Sequence, residues 1–360
     1  MQRRALLTGA GAATVALGTG IRPAAAKAEH KWKLVTTWPK NFPGMGTGAN
    51  KLAELIGRMS GGRIEVKVYG AGELVPAFEI FDAVSRGTAE MGHGAAYYWK
   101  GKSEAAQFFA SVPFGLTAQE MNSWLYYGGG MELWQELYAG FGLVPAAAAN
   151  TGVQMGGWFN KEINSVDDLK GLKMRIPGLG GEVLKRAGGT PVSLPGGEIF
   201  TSLQSGNIDA TEWVGPYNDL AFGLHKAAKY YYYPGWHEPG TTLEAFVNKE
   251  VFDGLPDDLQ AIVLNACKVA NQDLLAEYTA RNPAALRTLL TEYGVELRQY
   301  PDDVLLALRA LSTEVVAEIA EKDAFSRKTY ASYQKFLANS KEWSAVSELA
   351  YLRARDQLTA

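Results

Sequence analysis

Between Lys31 and Asn248 the hydrophobic period of the chain keeps switching, from the two-residue repeat of a strand to the 3.6-residue repeat of a helix and back. Such a series is satisfied by mainly parallel sheets with helices on their faces. Lys31-Trp-Lys-Leu-Val-Thr36 reads as the first strand and Gly48 to Met59 as an amphipathic helix. Arg63-Ile-Glu-Val-Lys-Val-Tyr69 alternates cleanly, with Ile64, Val66 and Val68 on one face. Pro76 opens a helix that stops near Gly87, Ala89 to Gly94 is a short buried strand, and Thr117 starts a longer helix toward Tyr138. Val144 to Ala149 is an apolar strand leading into Asn150-Thr-Gly152. A second series follows, with strands near Lys173–Ile176, Pro191–Ser193 and Ile208–Thr211 and helices at Gly181–Ala187 and Glu198–Ser205. Thr242 to Asn248 reads as a strand returning to the first lobe. The expected fold class is α/β: two lobes joined by crossing strands, with a ligand cleft at the carboxyl ends of the strands.

Residues 27–150 together with about 240–300 form the expected first lobe, and 151–239 the second. From about Asp257 the pattern is nearly all helical, broken at Asn282-Pro283, at a strand-like Val295-Glu-Leu-Arg298 and at Pro301. The helical residues 301–360 carry Tyr330, Tyr333, Phe336, Trp343 and Tyr351, and their plain reading is packing on the chain's own lobes. Cys267 stands alone, so no intrachain disulfide is possible, and its helical surroundings make it a buried small hydrophobe.

Residues 1–26 read as a processing signal. Arg3-Arg4 is a charged head, Ala5 to Ile21 is uncharged, and Ala24-Ala25-Ala26 supplies the small residues a signal peptidase needs. The uncharged run is mostly Gly, Ala and Thr, too weakly apolar to stay in a membrane. Cleavage near Ala26 and export to the periplasm are expected. The paired arginines suit the twin-arginine route, from whose pattern Gln2 and Ala5 depart, and the general secretory route stays open. Removing Arg3, Arg4 and Arg22 takes the formal charge from −3 to −6. A mildly acidic surface argues against nucleic acid or an anionic membrane as partner.

Three polar elements interrupt the apolar scaffold: Asn150-Thr-Gly-Val-Gln154, the Arg175 that ends Leu172-Lys-Met-Arg-Ile176, and Asn207-Ile-Asp-Ala-Thr-Glu212-Trp213. A guanidinium held where a strand gives way to a turn presents two parallel N–H donors to a carboxylate. Gln154 and Glu212 add hard oxygens and Trp213 a flat apolar wall, a combination that suits a small organic anion with a hard cation beside it. His30, His93, His225 and His237 have no metal-ligand spacing and no cysteine pair exists, so zinc is not expected. No dinucleotide fingerprint, phosphate-cradling loop or nucleophile elbow occurs. Glu212 and Glu238 are also the carboxylate pair that a secreted glycoside hydrolase would need, a reading separated from binding by turnover.

With their surroundings these residues resemble the solute receptors of the TRAP transporter family, the DctP-like periplasmic proteins. The resemblance covers about residues 31–340. Leu172-Lys-Met-Arg175, within Asp168-Leu-Lys-Gly-Leu-Lys-Met-Arg175, and Gly206-Asn-Ile-Asp209 mark the broad family, and Gly72-Glu-Leu-Val-Pro76, Ala83-Val-Ser-Arg-Gly-Thr-Ala-Glu90 and Tyr97-Tyr-Trp99 also carry the resemblance. Asn150-Thr-Gly-Val-Gln154 and Thr211-Glu-Trp-Val-Gly-Pro-Tyr217 are narrower and point to the members that bind 2-oxo or 2-hydroxy monocarboxylates, and Tyr231-Tyr-Tyr-Pro-Gly-Trp-His-Glu238 also carries the resemblance. The resemblance implies a two-lobe periplasmic-binding-protein fold with a long helical C-terminal region, and a non-enzymatic receptor. Pyruvate, lactate or a branched keto acid would be delivered to a TRAP permease of two integral-membrane subunits. Arg175 is then the carboxylate anchor, Asn150, Tyr97 and Tyr98 secondary contacts, and Trp213, Tyr217 and Trp236 aromatic walls. Gln154, Glu212, Glu238 and the main-chain carbonyl of Trp213 are the donors to a sodium or calcium ion that the ligand chelates, Gln154 and Glu238 also touching the ligand. Terminal helices that bridge a homodimer belong to the same resemblance. A dicarboxylate or sugar acid is the alternative ligand, although it asks for more cationic contacts than Arg175 alone.

Overall fold

The computed structural model describes residues 28–357; the expected signal peptide, 1–26, lies outside them. The chain lays His30–Thr36 (β1), Ile64–Tyr69 (β2), Met91–Gly94 (β3) and Leu143–Asn150 (β4) into one sheet. It then crosses to a second sheet with Gly157–Phe159 (β5), Lys173–Arg175 (β6), Thr190–Val192 (β7), Ala210–Thr211 (β8) and Tyr230–Tyr233 (β9). Thr242–Asn248 (β10) returns to the first sheet and Glu296–Gln299 (β11) joins the second. The orders are β2-β1-β3-β10-β4 and β11-β9-β5-β8-β6-β7. Pairs within each β-α series are parallel. The strands arriving from the other lobe, β10 and β5, run antiparallel to both neighbours, because a chain that crosses the cleft enters each sheet from the opposite end. The sheets are therefore more mixed than the mainly parallel expectation.

Three expected boundaries are corrected. The helix from Thr117 toward Tyr138 is two helices, Ala118–Tyr127 and Gly130–Ala139, because Gly129 takes φ +85° and turns the chain between them. No break occurs at Asn282-Pro283: one helix runs 35 residues from Asp257 to Thr291 with Pro283 inside it. An interior proline costs about 3 kcal/mol. Cys267, Leu274, Tyr278 and Leu289 are buried along this helix, and apolar burial at about 1.5–3 kcal/mol per large side chain exceeds that cost. Third, residues 296–299, within the range expected for the first lobe, pair in parallel with β9 at the edge of the second sheet.

The C-terminal helices reach both lobes. Asp302–Ala320 packs against helix Gly178–Arg186 of the second, and Ala324–Val346 against the 104–109 segment and the helices at 118–139 of the first. Tyr333 is buried and its hydroxyl accepts the Leu116 N–H at 2.7 Å. Trp343, Val346 and Tyr351 stay exposed at 70%, 72% and 65%. Cys267 is buried, and burial pushes its thiol up to about 12.

Two further buried carboxyls are held by neutral donors. Glu244 on β10 accepts from the Trp99 indole and the Tyr138 hydroxyl, and burial raises its pKa to about 8. Asp219 accepts from the Tyr231 hydroxyl at 2.6 Å and the Trp158 indole at 3.0 Å, and burial raises it to about 7. An acid that holds its proton more firmly folded than unfolded makes the native state bind more protons, so stability falls as pH climbs toward the folded pKa. His93, lowered by burial from 6.5 to about 4, acts oppositely, but only below pH 6.5. Unfolding by urea is therefore expected to become easier between pH 6.5 and 8, by on the order of 2 kcal/mol from Glu244. Glu244→Gln should flatten that slope; an equal slope in the variant would refute the assignment.

Candidate functional site

The two segments that cross between lobes lie side by side. Thr151 N–H bonds to the Thr241 carbonyl at 3.0 Å, Gln154 N–H to Glu238 at 3.1 Å, and Gly235 N–H to Gln154 at 3.0 Å. The approach is close enough that a Cβ on Gly235 would lie 2.2 Å from the Gln154 carbonyl oxygen. This pairing puts Gln154, His237 and Glu238 together. From the second sheet, parallel β6 and β8 end with Arg175 beside Thr211, which brings in Arg175, Glu212 and Trp213. From the first lobe, the turn Ala96–Trp99 contributes Tyr97 and Tyr98.

Arg175 is 1% exposed, and its guanidinium is paired with the equally buried Glu212 carboxylate. Nη2 donates to the Tyr98 hydroxyl at 3.2 Å, Nε to the Leu194 carbonyl at 3.3 Å, and the guanidinium lies 5.1 Å over the Trp213 ring. Burial opposes its charge, yet the surrounding negative groups, Glu212 foremost, hold its pKa above the ordinary value. Glu238 Oε2 accepts from Gln154 Nε2 at 2.7 Å and from Thr241 Oγ1 at 2.6 Å. Burial first and the Glu212 charge second raise Glu238 to about 7. Glu212, His237 and Glu238 offer ligand atoms within 4.8 Å of one another. Gln154 Oε1, Glu212 Oε2 and both His237 ring nitrogens are buried without a hydrogen-bond partner. Unpaired buried oxygens beside a carboxylate cluster are what a cation would satisfy, so the donor set fits a bound metal ion.

Trp38, which follows β1, packs edge-on to Trp213 at 6.2 Å and tilted against Tyr98 at 6.3 Å, and donates from Nε1 to His93 Nδ1 at 2.7 Å. The lobes also meet where Phe42 stacks on Phe222 at 4.1 Å and where Lys100 pairs with Glu182 at 2.7 Å.

The expected residues divide accordingly. Arg175, Gln154, Glu212, Trp213, Glu238 and Tyr98 come together, and Tyr97 sits edge-on to Tyr98 at 4.8 Å. Tyr217 does not join them. Pro216 opens a helix that turns it toward the 257–291 helix, where its hydroxyl donates to Glu277 at 3.0 Å. Asn150 is buried but committed to the crossing: its side chain bonds the Gly240 carbonyl at 3.2 Å and the Gly152 N–H at 2.8 Å. Trp236 stacks on Phe114 at 5.9 Å and meets the cluster only through the edge of His237. His237 is the residue the spacing argument missed, and its place beside Glu238 in the chain was the available signal. Trp38 was missed as well, although the carboxyl end of β1 is where ligand groups collect in such sheets.

A family model for bacterial extracellular solute-binding protein, family 7 (DctP), matches residues 34–323. A monocarboxylate 2-oxoacid-binding periplasmic protein of Nostoc sp. is 47% identical over 321 residues, 89% of this chain and 88% of the relative. A TRAP periplasmic solute-binding protein from Pseudoalteromonas atlantica, solved with bound sodium and pyruvate, superposes with a TM-score of 0.88 at 45% identity, covering 90% of this chain and 98% of that one. A TRAP transporter solute-binding protein from Bordetella bronchiseptica, solved as a mixed-occupancy dimer with copurified calcium and picolinate, gives a TM-score of 0.89 at 38% identity over 91% and 98% of the two chains.

Proposed function

Because this chain belongs to bacterial extracellular solute-binding protein family 7, the DctP receptors of TRAP transporters, we propose that it receives a 2-oxo or 2-hydroxy monocarboxylate of the pyruvate class together with a sodium or calcium ion. Its two lobes close over this pair and present it to the integral-membrane subunits of a TRAP permease. The carrying observation is the fully buried Arg175–Glu212 pair flanked by the unpartnered oxygens of Gln154 and Glu212. A carboxylate brought in alone would face Glu212 and Glu238 and be repelled. Brought in with a cation, it allows an exchange of partners. Arg175 turns its fork from Glu212 to the ligand carboxylate, and Glu212, with Gln154, Glu238 and the Trp213 carbonyl, faces the cation, so no buried charge is left unpaired. Those protein oxygens would hold the cation, whose charge would offset that of the incoming carboxylate. Trp213, Tyr98 and Trp38 then leave room for a short apolar tail and supply no second cationic group for a dicarboxylate.

Melting temperatures in protein freed of ions by a chelator provide the test. Pyruvate with sodium or calcium is expected to raise the melting temperature by several degrees, and propionate to do so far less, lacking the second chelating oxygen. Equal stabilisation by the two acids, independent of either ion, would overturn the reading. Residues 1–26 act in this scheme as the export signal, cleaved near Ala26 and placing the receptor in the periplasm. Trp343, Val346, Tyr351 and Leu352, exposed on the last helices, are the surface through which two copies pair. Sedimentation at micromolar concentration is expected to give a dimer, lost when the chain ends at residue 340.

A further inference from the structure

We propose that Asn218 is the latch of this receptor, a positioning residue that holds the second lobe against the first and so sets how long the ligand stays. The inference rests on the receptor reading above and extends it to the release step. Asn218 lies in the helix Pro216–Phe222, which follows Glu212-Trp213 in the chain. Its neighbour Asp219 ties that helix to the second sheet, accepting from the Trp158 indole on β5 and the Tyr231 hydroxyl on β9. Asn218 faces the other lobe. It is fully buried, and both ends of its amide are spent there: Nδ2 donates to the Pro43 carbonyl at 2.9 Å, and Oδ1 accepts from the Tyr278 hydroxyl at 2.7 Å. A carbonyl can only accept, which fixes the orientation of the amide.

Both partners belong to the first lobe. Pro43 is in the turn between β1 and the helix Met45–Met59. Tyr278 is on the long helix Asp257–Thr291, whose Leu259, Val263 and Cys267 share a core with Leu34 and Met91 of the first sheet. Gly44 takes φ +75°, and a Cβ there would lie 2.5 Å from the Tyr278 hydroxyl oxygen, so glycine at 44 lets the carbonyl and the hydroxyl stand side by side before one amide. Beside the amide, Phe222 stacks on Phe42 and meets the Trp213 ring at 5.0 Å, so the wall of the ligand site and the latch share one stretch of chain. Lobes that part leave all these groups to water, whereas closed lobes pair them in a dry contact, so the bonds favour the closed state alone. The Lys100–Glu182 pair also joins the lobes, but it is half in water and contributes little.

Stopped-flow tryptophan fluorescence of pyruvate binding and release, in the full chain supplied with sodium or calcium, tests the latch. Asn218→Ala is expected to release pyruvate roughly tenfold faster or more, with association within about threefold of the parent, because the amide bonds form only after the ligand has entered the open cleft. Phe222→Ala, which removes the stack and keeps the amide, should also speed release, and it keeps the test alive if the first variant misfolds. Glu182→Gln should alter release less than about twofold. Without ligand, Asn218→Ala should melt with the parent, since open lobes leave Asn218 to water. A merely structural asparagine would lower that temperature as well, and such a result overturns the latch. Release within threefold of the parent in both folded variants overturns it too, as does an affinity loss that falls on association alone. A parent that binds no pyruvate with either ion overturns the receptor reading and this proposal with it.

Discussion

Replacing Arg175 with alanine is expected to weaken pyruvate binding by on the order of 2–5 kcal/mol, roughly thirtyfold to several thousandfold. The guanidinium is 1% exposed, and under the proposed reading it stands opposite the ligand carboxylate in a dry cleft. Its remaining contacts, the Tyr98 hydroxyl, the Leu194 carbonyl and the Trp213 ring, hold the fork in plane and aim it. Arg175→Lys should bind nearly as poorly, since an ammonium on a flexible stem reproduces the charge without the paired donors. The alanine variant also leaves the Glu212 carboxylate buried without its partner, which destabilises a fold by about 3–5 kcal/mol unless the group takes up a proton. Calorimetry has therefore to be read beside a denaturation curve. An affinity within threefold of the parent, in a variant shown to be folded, would remove Arg175 from the site.

Glu212→Gln is expected to change which ligands the protein can tell apart. The side chain keeps its shape and loses the charge that pairs with Arg175 and, under the proposed reading, faces the cation. Under the proposed reading, two like charges about 4 Å apart in the parent repel by roughly 4 kcal/mol at an effective dielectric of 20, so a bare carboxylate would be rejected unless a cation accompanied it. With glutamine at 212 that repulsion goes and the guanidinium is free before the ligand arrives. Pyruvate affinity should then lose its dependence on sodium or calcium, and the preference for pyruvate over propionate should shrink to within about tenfold, or 1.4 kcal/mol. Thermal shifts across an ion series read both effects. A variant that still needs the ion, and still rejects propionate as strongly, would place the cation elsewhere.

Much of this site was legible because the groups concerned are out of character with their surroundings. Arg175, Glu212 and Glu238 are charged residues in apolar segments that end strands or turns, and burying a charge there demands a partner. The tyrosines were less legible. Tyr97 and Tyr98 reach the cleft, whereas Tyr217, equally polar-tipped and one residue past Pro216, is carried by its helix to Glu277. Asn150 was correctly placed at a strand end, but its amide holds the crossing segments together. His237 escaped notice because metal-ligand spacing rules describe ligands on one helix or one knuckle. This ring instead sits on a crossing segment and meets Glu212 just past the end of β8.

Period and punctuation along the chain were enough to mark most of the strands and helices and the chemical character of the strand ends, since these depend on residues a few positions apart, but the short strands β5 and β9 escaped them. Who faces whom was not in that information. Arg175 and Glu212 are 37 residues apart and Gln154 and Glu238 are 84 apart, and each pair meets because strands from distant segments share a sheet or a crossing. The long helix through Pro283 belongs to the same class, for a local break is overridden when burial against distant elements outweighs it. Ionisation follows the same division: a side chain carries its chemistry from the sequence, but its charge inside a dry cleft depends on neighbours that folding alone brings within reach.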